Sequence, residues 1–379
     1  MAARTDSTRA MVLSAVLLSA FASAMLLIAP LIVGALITLY GFSPQQAGLT
    51  ISIELGAMSL AGLPALAWMP RLPWRPFITG ALLLLVAGNV ACAFAHSFAE
   101  LASLRFLTGL GGGTLMVVAM AAIERTPNTE RNFGWWTVGQ LIVGAVGLTV
   151  LPRVMPALGL RGLFFALAAL FALGLLAVRT MPHGADATVS GARPTAAAPW
   201  RVLLALAGIL LFYVALSGVW TFMERIGAAA AIQAKTIGND LTLASLCGIA
   251  GCLSATWLGA RVGRIGPLVG GLALLVGSIT LLLGELSQAQ FLIASCGFKF
   301  AWTFVLPFML AGTASLDTSG RILALANLMI GCGLALGPAI VAAALGTPAN
   351  YSVALWVGVA GGLLSLTLLL FSLRAQHRI

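Results

Sequence analysis

Five ionisable side chains interrupt long apolar runs in this chain: Glu54, Arg105, Glu224, Arg225 and Lys299. A charge held at mid-bilayer depth costs at least about 2.5–3.5 kcal/mol on insertion scales, so each of them points to a salt bridge, a ligand or a proton. Glu54 lies well inside its run, and a desolvated carboxyl there can load and release a proton, which makes it the first candidate for proton coupling. The competing reading of Glu54 is a salt bridge to Arg105 or Lys299. Arg105 reads either as an anion-binding group or as a structural arginine, neutralised by Glu54 or bonded to helix carbonyls. Lys299 shares the chain with only one other lysine, Lys235. A desolvated lysine suits a protonation switch, which favours a role at a site. Glu224 and Arg225 are neighbours, and successive helical residues diverge by about 100°. At most one therefore faces a site squarely: Glu224 as a binding or proton-carrying group, with Arg225 snorkelling outward.

Around these stand less specific residues. Phe298, Phe300 and Trp302 flank Lys299 and either pack against an apolar or aromatic part of a solute or fill lipid-facing and interhelical space. Asp240 reads as a helix N-cap. Gln140 and Asn327 suit interhelical hydrogen bonds as well as they suit a solute. The histidines, His96, His183 and His377, fall in loops or the tail. Cys92, Cys247, Cys252, Cys296 and Cys332 lie in apolar segments without metal-ligand spacing and read as packing residues. There is no phosphate-binding Gly-x-x-x-x-Gly-Lys-Ser/Thr loop, no His-Glu-x-x-His pair and no nucleophile with a partner base. ATP-driven transport and enzymatic catalysis are not expected, and no cofactor or metal is implied.

The elements that must carry such residues are membrane helices. Hydrophobic residues make up 60% of the chain, charged residues only 8%, and mean hydropathy is +1.06. A soluble domain carries about 25% charged residues, so lipid must wet most of this surface. The net charge of +10 comes from arginines placed between apolar runs, which fits membrane topology better than a nucleic-acid partner, and none is expected. A membrane helix needs about 20 apolar residues. Spans are expected near 11–40, 45–68, 77–95, 98–122, 133–156 and 160–179, then near 201–227, 236–259, 265–284, 288–312, 322–345 and 350–373. Between the sets the stretch from Arg179 to Arg193, with His183, Gly184, Asp186, Ser190 and Gly191, has linker chemistry. The expected domains are therefore 1–179, a cytoplasmic linker at 180–200, and 201–379. Ala22-Ser23-Ala24 resembles a signal-cleavage site, but the apolar pattern runs on to Tyr40, so the first helix is expected to be retained.

Basic residues orient the spans. Arg4, Arg9, Arg71, Arg75, Arg125, Arg131, Arg179, Arg193, Arg201, Arg261, Arg264, Arg321, Arg374 and Arg378 fall on the side of the termini; Arg153, Arg161 and Lys235 fall opposite. This asymmetry predicts a multi-pass protein of the inner, plasma membrane with both termini cytoplasmic.

The chain also repeats itself. At an ungapped offset of 190 residues, Arg71 matches Arg261, Gly80 matches Gly270, Ser97 matches Ser287, Arg131 matches Arg321 and Gly147 matches Gly337. Six spans per copy make the two copies parallel in the membrane, a layout of secondary transporters. The charges break the repeat: Arg105 faces Ser295 across the offset, Lys299 faces Gly109, Glu54 faces Ala244 and Glu224 faces Gly34.

With these features the chain resembles the major facilitator superfamily. Arg105-Phe-Leu-Thr-Gly109-Leu-Gly111-Gly-Gly-Thr-Leu115 is similar to that family's fourth-helix pattern. Met69-Pro-Arg71-Leu-Pro-Trp-Arg75 and Gly259-Ala-Arg261-Val-Gly263-Arg264 stand where its cytoplasmic gating loops lie, with Pro70 and Ala260 in place of the usual acidic residue. Gly139, Gly144 and Gly147 are present in the fifth span without the family's Gly-Pro pair, which occurs instead as Gly337-Pro338 in the eleventh. The resemblance implies an all-α membrane protein of twelve transmembrane helices in two parallel six-helix bundles, acting by alternating access. It implies a cavity lined by spans 1, 4, 7 and 10, with Arg105 and Lys299 facing it, and gating loops built on Arg71, Arg75, Arg261 and Arg264. Two cations there would favour a small organic anion, held by Arg105, Lys299, Trp302 and Glu224, with Glu54 and Glu224 carrying the coupling proton. The partners expected are that solute, protons and membrane lipid, with the protein a monomer. Two rival readings remain: a proton-coupled exporter of cationic drugs or metabolites, with Glu54 and Glu224 meeting the cation, and a non-transporting membrane sensor.

Overall fold

The structure, a computed structural model, describes residues 2–184, 198–316 and 321–374. Most of the expected linker, including Asp186, Ser190 and Arg193, lies outside the described residues. Every long regular element among the described residues is an α-helix. That follows from the solvent: a backbone in hydrocarbon must satisfy its polar groups internally, and a helix does so within one segment.

Two compact units form, Met1–Thr188 and Val189–Ile379. The first contains α1 (Ala2–Ala22), α2 (Ala24–Leu27), α3 (Ala29–Tyr40), α4 (Pro44–Leu60), α5 (Gly62–Trp68), α6 (Trp74–Cys92), α7 (Phe98–Glu124) and α8 (Thr129–Gly174). The second contains α9 (Pro199–Ala229), α10 (Ala234–Leu258), α11 (Ile265–Thr280), α12 (Gln288–Ala314), α13 (Arg321–Ala344) and α14 (Ser352–Arg374).

The 190-residue offset reappears in the elements. α7 and α12 have the same length and bounds after that shift, and each starts at a serine whose hydroxyl accepts from the backbone N–H three residues on: Ser97 from Glu100, Ser287 from Gln290. α4 packs on α7 and α6 on α7 in the first unit, as α10 packs on α12 and α11 on α12 in the second. Both units bring corresponding helices, α4 with α7 and α10 with α12, close through glycine, on opposite partners. A Cβ on Gly113 of α7 would lie 2.1 Å from the Met58 carbonyl oxygen of α4. In the second unit the glycine is on α10: a Cβ on Gly251 would lie 2.4 Å from the Phe300 oxygen of α12.

Nine helical tracts among the described residues are long and apolar enough to cross a bilayer, against the twelve spans expected. The difference has local causes. The first run, expected as one span, breaks at Ser23 and Ile28; Pro30 accounts for the second break, because it has no N–H and in a continuous helix its ring would clash with the carbonyl of Leu26. Its pieces Thr8–Ala22 and Ala29–Tyr40 are each short. The tract Arg131–Thr180 runs on where two spans were expected. Within it Gly159 is non-helical, at φ 58° and ψ −168°, and bends the chain near the expected boundary. Ile265–Thr280 is simply a short apolar helix. Large apolar side chains stand on the surface, Leu176, Trp257, Leu203 and Phe371 among them, a distribution that suits lipid and would be costly in water.

Candidate functional site

In the first unit α4, α6, α7 and α8 meet around Arg105, which is 1% exposed. Gly109 and Gly113 let α7 settle onto the α4 backbone, where a Cβ at Gly109 would lie 2.5 Å from the Glu54 carbonyl oxygen. That approach brings Glu54 opposite Arg105. Arg105 Nη1 lies 3.5 Å from Glu54 Oε1, a long, single-point ion pair. Its Nη2 donates to Asn89 Oδ1 at 2.9 Å and to Cys92 Sγ at 3.2 Å, both on α6. Its guanidinium lies 5.3 Å from the ring centroid of Phe164 on α8. Asn89 is itself held by donation from Nδ2 to the Leu85 carbonyl at 2.8 Å. The network is incomplete: Glu54 Oε2 and Arg105 Nε have no hydrogen-bond partner. A small cavity, about 10 Å³ and so roughly one water in size, is bounded by Glu54, Asn89, Arg105, Thr108 and, at the α1–α2 break, Ala22 and Met25.

The structure places Arg105 in an ion pair with Glu54. Asn89 and Cys92 were not anticipated as members of the network. Asn89 carried a signal, as a buried amide in an apolar span; Cys92 carried none beyond its three-residue spacing from Asn89 on one helix.

The second unit surrounds its cation differently. Lys299 on α12 is 1% exposed, and its Nζ lies 3.6 Å from the ring centroid of Trp220 on α9 and 4.1 Å from that of Trp302 one turn along α12. Phe298 stacks on Trp220 at 6.3 Å, and Trp302 meets both Trp220 and Phe298 edge-on at 6.2 Å. Tyr213 of α9 is one further buried residue beside Trp302. Among the described residues no carboxylate lies within ion-pair distance of Lys299. Cation–π contact is worth up to about 2 kcal/mol when desolvated, less than a buried ammonium loses. The cage therefore orients the amine without neutralising it.

The other expected residues fall as follows. Glu224 and Arg225 clasp each other, with Arg225 Nε 2.6 Å from Glu224 Oε2 and Nη2 2.7 Å from Oε1. Their side chains are 7% and 17% exposed, so the pair turns inward together and Arg225 does not snorkel away. Asp240 is not an N-cap: α10 begins six residues earlier behind Gln233, and Asp240 is a buried mid-helix carboxylate whose Oδ2 has no partner. Helix α10 extends further toward the α9–α10 turn than the apolar pattern alone suggested. Gln140 keeps an unpartnered, buried Nε2, and Asn327 is exposed.

The arginines of the two loops have diverged. Arg75 donates from Nε to the Met181 carbonyl at 3.0 Å and from Nη2 to the Arg179 carbonyl at 2.9 Å, so it ties its loop to the end of its own unit. Trp74 N donates to His183 O at 2.9 Å and strengthens that tie. Arg71, Arg261 and Arg264 are exposed.

A helical chain with an apolar surface, a twofold internal repeat and ionisable centres buried in each copy is a multi-pass membrane transporter. It belongs to the Major Facilitator Superfamily, whose profile matches residues 12–338. One curated relative, the niacin transporter NiaP of Acinetobacter baylyi (strain ATCC 33305 / BD413 / ADP1), is 27% identical over 121 residues, 30% of this chain and 28% of that protein. Among solved structures, the crystal structure of a mutant of the nucleoside transporter NupG is similar with a TM-score of 0.72 at 13% identity. The match covers 97% of this chain and 100% of that one, and at such low identity the likeness concerns the fold.

Proposed function

We propose that the protein is a proton-coupled secondary transporter of a small organic anion with an aromatic part, working by alternating access. Its twelve helices would form two six-helix halves, and it would reside as a monomer in the inner membrane with both termini cytoplasmic. The observation that carries this reading is the Lys299 amine, buried over Trp220 and Trp302 with no carboxylate beside it among the described residues. A carboxylate ligand supplies the missing counter-charge, and an aromatic ligand ring finds indole faces at the same place. The relative named a niacin transporter fits, since niacin is an aromatic carboxylate. A cationic cargo fits less well, because Glu54 and Glu224 each already meet an arginine. In this reading Arg105 acts through Glu54, the carboxyl with one free oxygen, which remains the first candidate for the coupled proton.

The test is uptake of labelled nicotinate and benzoate by the purified protein in liposomes under an imposed inward proton gradient. Accumulation should follow the gradient, and Lys299→Met should reduce it by at least about thirtyfold, the effect of removing one partner of a buried charge pair. Gradient-driven uptake unchanged in Lys299→Met removes Lys299 from the site. Absence of uptake of either acid by the unaltered protein overturns the substrate class.

A further inference from the structure

Serine and threonine inside membrane helices ordinarily spend their hydroxyl on the carbonyl three or four residues back. This chain follows the rule widely: Ser59 donates to Leu55, Ser217 to Tyr213, Ser245 to Leu241 and Thr313 to Met309, at 2.7–3.0 Å. Two buried hydroxyls among the described residues have no hydrogen-bond partner, Thr221 Oγ1 and Ser295 Oγ. Thr221 follows Trp220, a wall of the Lys299 cage. Ser295 is 0% exposed and precedes Lys299 by four residues on α12, so the two share a helix face about 5–6 Å apart.

The internal repeat shows what Ser295 lacks. Its counterpart at the 190-residue offset is Arg105, and Arg105's partners Glu54, Asn89 and Cys92 correspond to Ala244, Ile279 and Leu282. The second unit has replaced the whole charged network with apolar side chains and kept one hydroxyl without a protein partner. A buried hydroxyl left unpaired is destabilising, so packing alone does not account for it beside an equally uncompensated amine.

Resting on the carboxylate reading of the Lys299 site, we infer that Ser295 is a ligand-binding residue of that site. Its hydroxyl donates the second hydrogen bond to the carboxylate that Lys299 neutralises. One point charge and one neutral donor, spaced by a helical turn, suit the two oxygens of a monocarboxylate. They discriminate against the corresponding amide, which is neutral and cannot supply the counter-charge that the Lys299 ammonium lacks.

The experiment is tryptophan-fluorescence titration of the purified protein with benzoate and nicotinate, with benzamide and nicotinamide as controls. The variants are Ser295→Ala, Ser295→Thr and Lys299→Met. The acids should quench fluorescence and the amides should not. Ser295→Ala should weaken binding of the acids by roughly tenfold, the size of one hydrogen bond to a charged group, while its melting temperature stays equal or rises, because no protein partner is lost. Ser295→Thr keeps the hydroxyl and should restore most of the affinity. If Ser295→Ala binds both acids as the unaltered protein does while Lys299→Met does not bind them, the inference fails and the carboxylate reading stands. If Ser295→Ala melts lower, the hydroxyl is structural and the inference fails. If the unaltered protein binds neither acid, or binds acids and amides alike, the carboxylate reading falls and this inference with it.

Discussion

Replacing Glu54 by Gln should destabilise the protein more than replacing both Glu54 and Arg105. The single change leaves a guanidinium 1% exposed with Asn89, Cys92 and a ring face as its remaining partners, and losing one member of a buried pair typically costs about 3–5 kcal/mol. Removing the second charge as well, with Arg105→Met, should recover most of that loss, as apolar replacements of buried pairs generally do. Thermal unfolding of the three variants in detergent decides it; equal melting points for Glu54→Gln and the unaltered protein would show that the 3.5 Å contact contributes nothing. If the stable double variant still accumulates solute under a proton gradient, Glu54 is not the coupling group. Lys299→Met should behave in the opposite way, melting no lower than the unaltered protein, since it removes a charge that has no counter-ion among the described residues. Single residues were legible where the apolar background made them stand out: Glu54, Arg105 and Lys299 are conspicuous because each costs insertion energy. Their partners were not. Whether Arg105 meets Glu54, and whether Lys299 meets Trp220, depends on which helices approach across 51 and 79 positions of chain, and a hydropathy pattern carries no such information. Asp240 misled for a related reason. A carboxylate near the start of an apolar run looks like a cap when the residues before it in the helix, Lys235, Thr236, Gly238 and Asn239 among them, contribute little to the pattern.

At the scale of elements, glycine decides where helices touch, and two glycines of the first unit make a controlled comparison. Gly113 faces α4, and an added Cβ would sit 2.1 Å from the Met58 oxygen and 2.7 Å from Ala61 Cβ. The obstacle is backbone, which cannot rotate aside, so Gly113→Ala should force α4 and α7 apart and cost about 1–3 kcal/mol. Gly80 on α6 has nothing within 4 Å of the same position, and Gly80→Ala should be neutral or stabilising by up to about 1 kcal/mol, the helix-propensity gain of alanine over glycine. Melting points of the two alanine variants, measured side by side, test this; similar shifts would mean that α4 and α7 do not approach as closely as Gly113 requires. Element existence was readable from apolar length, and the repeat even aligned α7 with α12. Breaks were harder. The first run was read as one span in spite of Pro30, whereas Arg153, Pro156 and Arg161 marked a boundary around Gly159, although not which of the 43 glycines would take φ 58°.

For the whole molecule, charge placement predicts which way it lies in the membrane. Fourteen basic residues fall on the side of the termini against three opposite, with Arg105, Arg225 and Lys299 inside the spans. Arginine and lysine near helix ends resist translocation, so this imbalance predicts that the loops carrying Arg71 and Arg261 face the cytoplasm and the loop carrying His96 faces outward. The prediction does not depend on the substrate or the coupling ion; it uses the alternation of loops along the twelve expected spans. His96, Arg71 and Arg261 are all exposed, so cysteine at each should react with a maleimide once the reagent reaches its side. In intact cells a membrane-impermeant maleimide should label His96→Cys above the background of the native cysteines and leave Arg71→Cys and Arg261→Cys at that background. After permeabilisation all three should label. Labelling of Arg71→Cys but not His96→Cys in intact cells would invert the molecule. Labelling of only one of Arg71→Cys and Arg261→Cys would break the parallel repeat, since two parallel copies must place these corresponding loops on the same face.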